Sequence, residues 1–226
     1  MRQYVLLSCL FALLSCSKSV HAYTMQDSSY HNWYYDSREK LYQRLKSNHY
    51  DIIFFGNSIT ERGPWDELIG IQYKVGNRGI GGDNTYGMKA RIQDVVRQRP
   101  KKIFLMMGIN DIGRGISVER IIENYQAIIK QIKQVSPKTK IYLQSVLPLN
   151  DRLLTNKNLI GKSSQIRLLN EQISSLANQH MINYVDIASV LGENDVLKEQ
   201  YTSDGIHVNT RAYIDWVRYL KKNNYL

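Results

Sequence analysis

Lys102-Ile-Phe-Leu-Met-Met107, then Val118-Glu-Arg-Ile-Ile-Glu-Asn-Tyr-Gln-Ala-Ile-Ile-Lys-Gln-Ile132, then Lys140-Ile-Tyr-Leu-Gln-Ser-Val146 is the stretch that decides the fold. Its outer pieces are short, continuous apolar runs, the pattern of strands buried on both faces. Its middle places Val118, Ile121, Ile122, Tyr125, Ile128, Ile129 and Ile132 on one stripe at spacings of three and four, which predicts an amphipathic helix. Strand, helix, strand with too long a link for a hairpin implies a parallel pair joined by a crossover.

The same alternation extends in both directions. Asp51-Ile-Ile-Phe-Phe55 reads as a strong strand, Gln72 to Gly76 as a weaker one, and Ile182-Asn-Tyr-Val-Asp-Ile187 as the last. A second helical stripe holds Ile166, Leu169, Ile173 and Leu176, and a final helix is predicted from about Asn209 to Lys222. Five such units with right-handed crossovers give an α/β fold: a three-layer, doubly wound domain on a five-stranded parallel sheet, flavodoxin-like. The functional crevice of such a domain lies beyond the carboxyl ends of its strands.

Residues 1–22 read as an export leader rather than part of the domain, leaving 23–226 as one domain without repeat or linker. Arg2 precedes an apolar run, Val5 to Leu14, that is too short to span a bilayer. Val20-His21-Ala22 suits a signal peptidase, whereas Leu13-Leu14-Ser15-Cys16 suits lipid attachment at Cys16. The expected location is therefore exported: periplasmic, cell-envelope lipoprotein or secreted, with membrane contact only through a lipid on Cys16. Cys9 and Cys16 are the two cysteines of the chain, so the domain has no thiol for a nucleophile, a metal ligand or a disulfide. The net charge is +10, and the leader takes away only Arg2 and Lys18, leaving +8. The basic residues are scattered and no aromatic–basic RNA-recognition motif occurs, so no nucleic-acid partner is expected.

Three of the expected strand ends run into small polar segments: Gly56-Asn57-Ser58-Ile59-Thr60, Asn77-Arg78-Gly79-Ile80-Gly81-Gly82-Asp83 and Gly108-Ile109-Asn110-Asp111. Acyl transfer needs this combination. A serine hydroxyl is a weak nucleophile until a base takes its proton, and the oxyanion that follows needs fixed donors. Of the five histidines, His21 lies in the leader, His31 and His49 precede the first strand, and His180 ends a helix. His207 sits in Asp204-Gly205-Ile206-His207, where one segment supplies both the base and an orienting carboxylate, with Gly205 permitting a tight turn. Other motifs fail: Gly79–Gly82 lacks the Lys-Ser/Thr of a P-loop, and Gly161-Lys162-Ser163 has Asn at 156. The Gly-x-Ser-x-Gly elbow is absent because position 60 is Thr. No cofactor is expected, and no His/Asp/Glu cluster has metal-ligand spacing, so no metal is expected either.

These blocks resemble the SGNH subgroup of the GDSL esterase/lipase family. Ser58 matches its nucleophile, Gly82 and Asn110 its oxyanion donors, and Asp204 and His207 its D-x-x-H pair, in family order from residue 56 to 207. Gly79-Ile-Gly-Gly-Asp83 is similar to the corresponding block of platelet-activating-factor acetylhydrolase catalytic subunits. Gly-Asn-Ser-Ile-Thr resembles the variant in exported Bacteroidetes-type acetylesterases. One departure stands out: Asn57 replaces the usual Asp, keeping the shape and losing the charge behind the nucleophile. The resemblance implies a serine esterase for short-chain esters, with the Ser58 and Gly82 N–H groups and the Asn110 amide holding the oxyanion. Its expected partner is a small-molecule or glycan ester, carbohydrate O-acetyl groups first. A lysophospholipid or other lipid esterase is the alternative, and a carbohydrate-binding protein on this scaffold is the non-enzyme reading. Arg62 and Trp65, which follow the nucleophile turn, are candidates for the border of the substrate pocket or for packing at a helix start, Pro148 and Leu149 for the acyl side of that pocket, and Asp83 and Asp111 for bracing the donor loops. Arg167 and Asn170 are expected on a helix surface.

Overall fold

The computed structural model describes residues 27–45 and 49–226, so the expected leader and both cysteines lie outside the described residues. Five parallel strands, β1 (Ile52–Gly56), β2 (Val75–Gly79), β3 (Lys102–Met106), β4 (Lys140–Gln144) and β5 (Asn183–Val185), form one sheet in the order β2-β1-β3-β4-β5. The chain winds outward from β1 in both directions, as the alternation of apolar runs predicts.

Side chains of a strand alternate between faces, and here both faces are covered. Ile53, Phe55, Ile103, Leu105, Ile141 and Leu143 pack under α4 (Thr85–Val96), α6 (Val118–Val135) and α7 (Ser163–His180). Ile52, Phe54, Phe104, Met106 and Tyr142 pack under α3 (Trp65–Ile69), α8 (Ile187–Leu191) and α9 (Thr210–Lys222). Asn209 caps α9, its side chain accepting from the Ala212 N–H at 3.2 Å. An N-terminal helix, α1 (Trp33–Arg44), lies outside this sandwich and buries Tyr35 and Tyr42 with Ile80. Two short helices follow strand ends, α2 (Ser58–Glu61) after β1 and α5 (Ile109–Gly113) after β3, and a two-stranded hairpin of β6 (Gly192–Glu193) and β7 (Val196–Leu197) follows α8.

The strand expected at Gln72–Gly76 is displaced toward the C-terminus. Ile71 and Gln72 are exposed, and pairing with β1 runs from Ile52 opposite Val75 to Gly56 opposite Gly79. The register is pinned outside the apolar pattern: Asp51 N–H donates to the Lys74 carbonyl and Asp51 Oδ2 accepts from the Lys74 N–H, both at 2.9 Å. Arg78, a polar residue in this edge strand, is buried between the rings of Tyr42 and Tyr50, each 4.8 Å from its guanidinium carbon. Hydropathy does not register a strand stabilised in this way. The crevice loop after β2 thus begins at Ile80 rather than Asn77.

Candidate active site

Ser58 is the first residue of α2, a helix of only four residues, and Asn57 caps it by accepting the Ile59 N–H at 3.0 Å. In so short a helix the Ser58 carbonyl is taken by the Arg62 N–H at 3.0 Å, and the carbonyls after it, short of helical partners, are taken largely by neighbouring side chains. Asn77 Nδ2 reaches the carbonyls of Thr60, Glu61 and Gly63 at 3.1, 2.9 and 3.1 Å, while Asn77 Oδ1 accepts from the Gly79 N–H at 2.9 Å. Trp65 Nε1 donates to the Thr60 carbonyl at 2.8 Å, and the Tyr213 hydroxyl donates to that of Ile59 at 2.6 Å. Gly79 is required by close approach: a Cβ there would stand 2.2 Å from the Glu61 nitrogen. The nucleophile candidate therefore sits on a turn bolted to β2 and α9. Replacing Asp by Asn at 57 preserves the cap, but its buried Nδ2 meets no acceptor among the described residues.

His207 arrives from the other end of the chain. Its Nε2 lies 2.9 Å from Ser58 Oγ, and its Nδ1 lies 2.7 Å from Asp204 Oδ2. The other carboxylate oxygen, Oδ1, accepts the backbone N–H groups of Ile206 and His207 at 3.0 and 2.8 Å. Gly205 makes the turn at φ +79°, its N–H donating to Thr202 Oγ1 at 3.0 Å. Burial pulls the Asp204 pKa upward, but the hydrogen bonds from the His207 ring and from the two backbone N–H groups outweigh it. Its carboxyl is held below the usual value of 3.8. Ser58 is half-buried, and the His207 and Asp204 side chains keep 23% and 31% of their surface. A substrate carbonyl can thus reach the hydroxyl from solvent.

The loops that carry the expected oxyanion donors meet beside Ser58. Gly81 donates its N–H to Glu61 Oε2 at 2.9 Å, and a Cβ on Gly81 would be 4.0 Å from that of Ser58, so the loop after β2 lies beside the nucleophile. Gly82 follows at φ +75°, a left-handed conformation that suits glycine, with open space where a side chain would project. Among the described residues, the N–H groups of Ser58 and Gly82 have no protein acceptor. Asn110 Nδ2 donates one proton to the Asp83 carbonyl at 2.8 Å, which fixes the amide and leaves its second proton free.

Two buried networks brace these loops, and sequence reasoning named only their carboxylates. Asp83 Oδ2 accepts from Arg91 Nε at 2.8 Å; the same guanidinium donates to the carbonyls of Arg78 at 2.8 Å and Gly56 at 2.9 Å. One buried cation thereby joins the ends of β1 and β2 to the Gly82 loop. Its signal was present: Arg91 stands on the apolar stripe of α4 with Met88, Ile92 and Val95. Asp111 accepts from the Thr85 hydroxyl at 2.5 Å, and Asn124 Nδ2 donates to that hydroxyl at 2.8 Å. Burial pushes both carboxyls up to about 6, against Arg91 in one case and the Thr85 hydrogen bonds in the other.

The expected pocket border needs correction. Trp65 is fully buried, stacked on Phe54 at 4.0 Å between ring centroids and edge-on to Trp216, so it belongs to the core. Its helical position after the nucleophile turn is used for packing and for holding Thr60. Pro148 is also buried; it lines an open cleft of about 760 Å³ between α7 and the β6–β7 hairpin, with Asn170 and Tyr184, and Ser58 and His207 do not line that cleft. Leu149 is core. Arg62 is exposed, directly after α2. Arg167 is on the surface, paired with Asp195, but Asn170 is not idle: its amide donates to the Val146 carbonyl and accepts from the Val146 N–H, both at 2.8 Å.

Known proteins resemble this chain in sequence and in fold. The GDSL-like Lipase/Acylhydrolase family model matches residues 54–213, which contain all the residues of the Ser58 centre. A Streptococcus pneumonia protein named for platelet activating factor is 29% identical with a TM-score of 0.75, over 84% of this chain and 92% of that one. A GDSL-like lipase from Bacteroides thetaiotaomicron is 25% identical with a TM-score of 0.72, over 85% of this chain and 98% of that one. An acetyl-xylooligosaccharide esterase from Geobacillus shares the fold, with a TM-score of 0.63 at 17% identity over 78% of this chain and 94% of that one. An N-acylneuraminate cytidylyltransferase from Streptococcus agalactiae is 25% identical over 136 residues, 60% of this chain, and this match spans 31% of its length. With the family model covering most of the chain, the parallel sheet in the order of a doubly wound fold and a serine poised at a strand end, the chain belongs to the GDSL-like lipase/acylhydrolase family and is a carboxylic ester hydrolase.

Proposed function

We propose that this protein removes short acyl groups, acetyl first, from esterified carbohydrates, with Ser58 as nucleophile, His207 as base and Asp204 as its orienting acid. The observation that carries this reading is the unbroken chain of contacts from Ser58 Oγ to His207 Nε2 at 2.9 Å and from His207 Nδ1 to Asp204 Oδ2 at 2.7 Å. His207 Nε2 takes the serine proton as Oγ attacks the ester carbonyl. The negative oxygen then meets the N–H groups of Ser58 and Gly82 and the second amide proton of Asn110, a preorganised set that needs no rearrangement at the moment of reaction. The imidazolium, stabilised by the Asp204 carboxylate, protonates the departing alcohol. Water, deprotonated by the same nitrogen, attacks the acyl-enzyme and regenerates Ser58.

Carbohydrate as the alcohol is supported by two similarities of name, to an acetyl-xylooligosaccharide esterase and to an enzyme that handles N-acylneuraminate. The partial exposure of Ser58 and His207 suits an ester presented on a large, hydrophilic substrate. The leader expected at residues 1–22 would place the activity outside the cytoplasm, where such polymers are met. Acetate release from O-acetylated sialic acid and O-acetylated xylan, beside p-nitrophenyl acetate, tests the reading. Ser58→Ala should abolish all three activities with the fold retained. Turnover of long-chain lipid esters in preference to all acetyl substrates would replace the carbohydrate by a lipid.

A further inference from the structure

Although the basic residues are scattered along the chain, five of them meet at the pole of the sheet opposite Ser58. β3 and β4 enter the sheet at Lys102 and Lys140, which are register partners, so both side chains leave the same face of neighbouring strands. Such strands lie about 4.8 Å apart, and like charges placed side by side weaken a sheet. Around them opens a cleft of about 650 Å³, with Arg99, Lys101 and Lys138 also in its lining and no carboxylate among the described lining residues. Among the described residues, Asp51 reaches the rim through its pairing with Lys101. It is already engaged, by Lys101 Nζ at 2.7 Å and the Lys74 N–H at 2.9 Å. Lys102 Nζ gives one proton to the Tyr225 carbonyl at 2.9 Å and keeps two. Burial, and then the nearby Lys140, lower the Lys102 pKa, so charge here is held against a cost.

The walls of the cleft are fixed in advance. The loop before β3 and the loop before β4 are joined by Thr139 Oγ1, which donates to the Pro100 carbonyl at 2.6 Å and meets Ser136 Oγ at 2.7 Å. Lys140 N–H donates to the Lys101 carbonyl at 2.9 Å. Arg99 adopts φ +48° just beyond the end of α4. Glycine or asparagine suits that left-handed position, yet an arginine occupies it and adds a cation to the rim. With Lys101 paired to Asp51, the other four cations meet no carboxylate among the described residues, and on this rigid concave frame they match a multiply charged oxyanion, which charge-assisted N–H···O bonds would hold.

We propose that this cleft binds a phosphate or sulfate group, carried by a lipid headgroup or by a soluble ligand, at a site separate from the Ser58 centre. Titration calorimetry of the purified protein with inorganic pyrophosphate at low ionic strength, with co-sedimentation on phosphatidylglycerol vesicles, tests it. Pyrophosphate should bind, and binding should weaken by about tenfold or more when Lys138→Glu/Lys140→Glu reverses two cleft charges. Arg120→Glu/Lys157→Glu, the same charge change at the other pole, should leave it within about twofold. Hydrolysis of p-nitrophenyl acetate should persist in the Lys138→Glu/Lys140→Glu protein, showing that its fold is intact. Sedimentation with vesicles that pyrophosphate reverses supports a headgroup as the carrier; pyrophosphate binding without sedimentation supports a soluble one. Equal weakening in both variants, or no pyrophosphate binding by the unaltered protein, would overturn the proposal.

Discussion

Exchanging one atom, Asp204→Asn, isolates the orienting role assigned to the carboxylate. Asp204 Oδ1 holds the backbone N–H groups of Ile206 and His207 at 3.0 and 2.8 Å, and an amide oxygen can do the same, so the turn should survive. The change falls on the other atom. Oδ2 now accepts from His207 Nδ1 at 2.7 Å, whereas an amide nitrogen there donates. Two donors cannot share that contact, so the neutral ring must keep its proton on Nε2. That proton then points at Ser58 Oγ, 2.9 Å away, and the ring has no lone pair with which to activate the hydroxyl. Enforcing the wrong tautomer in a Ser–His–Asp site costs about 10⁴ in kcat, or about 5 kcal/mol of transition-state stabilisation. The assay is kcat and kcat/KM for p-nitrophenyl acetate at neutral pH, with the melting temperature measured alongside. Since the folded Asp204 pKa is depressed, its carboxylate adds stability above the ordinary value of 3.8, and that stability is lost as pH falls through the depressed value. Asp204→Asn should therefore remove this acid-side loss. Activity within about tenfold of the unaltered enzyme, at an unchanged melting temperature, would refute the assignment of Asp204.

Three further outcomes follow from named contacts. Asn110→Ala removes the free amide proton beside Gly82 and should lower kcat by about 10²–10³ with little change in KM, measured on the same ester; the mutation also frees the Asp83 carbonyl. Asn77→Ala deletes the donor to three carbonyls and the acceptor for Gly79 N–H, and at about 1 kcal/mol for each hydrogen bond lost it should destabilise the fold by roughly 2–4 kcal/mol in urea unfolding. Asp111→Asn bears on pH. The Asp111 carboxyl is raised to about 6 when folded, so its contribution is present below 3.8 and is lost as pH rises toward 6. Urea unfolding at pH 4 and pH 6.5 should show a smaller decline across that window in the variant than in the unaltered protein.

Much of this was open to sequence reading for a physical reason. Ile52–Phe55, Ile103–Met106 and Ile141–Leu143 are buried on both sides, and burial on both sides demands continuous apolar runs, so the central strands announced themselves. Ser58, Gly82 and Asn110 stood out in segments that follow strands, Asp204 and His207 as an Asp-x-x-His pair before the last helix, and the resemblance to the SGNH subgroup supplied their expected roles. The helix caps Asn32, Asn84 and Ser117 went unnamed in the sequence reading although they act through bonds local in sequence, each accepting from N–H groups two or three residues on.

What sequence could not supply is whatever depends on a partner distant along the chain. The edge strand β2 is polar because Arg78 is enclosed by Tyr42 and Tyr50, rings more than twenty residues away, and its register is set by Asp51. Trp65, placed just after the nucleophile turn, could be read as bordering the pocket or as packing at a helix start; only the stack on Phe54 and the contact with Trp216 assign it to the core. Arg91 and Asn77 each draw several loop carbonyls together, an arrangement no local pattern encodes. The sequence by itself determined the layered α/β architecture and named the candidate reactive groups, because hydrophobic periodicity and side-chain chemistry are carried residue by residue. Only the tertiary structure decided the 2.9 Å separation of Ser58 from His207 across 149 positions of chain, the buried bracing of the donor loops and the gathering of five cations at the far pole, since each of these is a distance between residues that meet only when the sheet is wound.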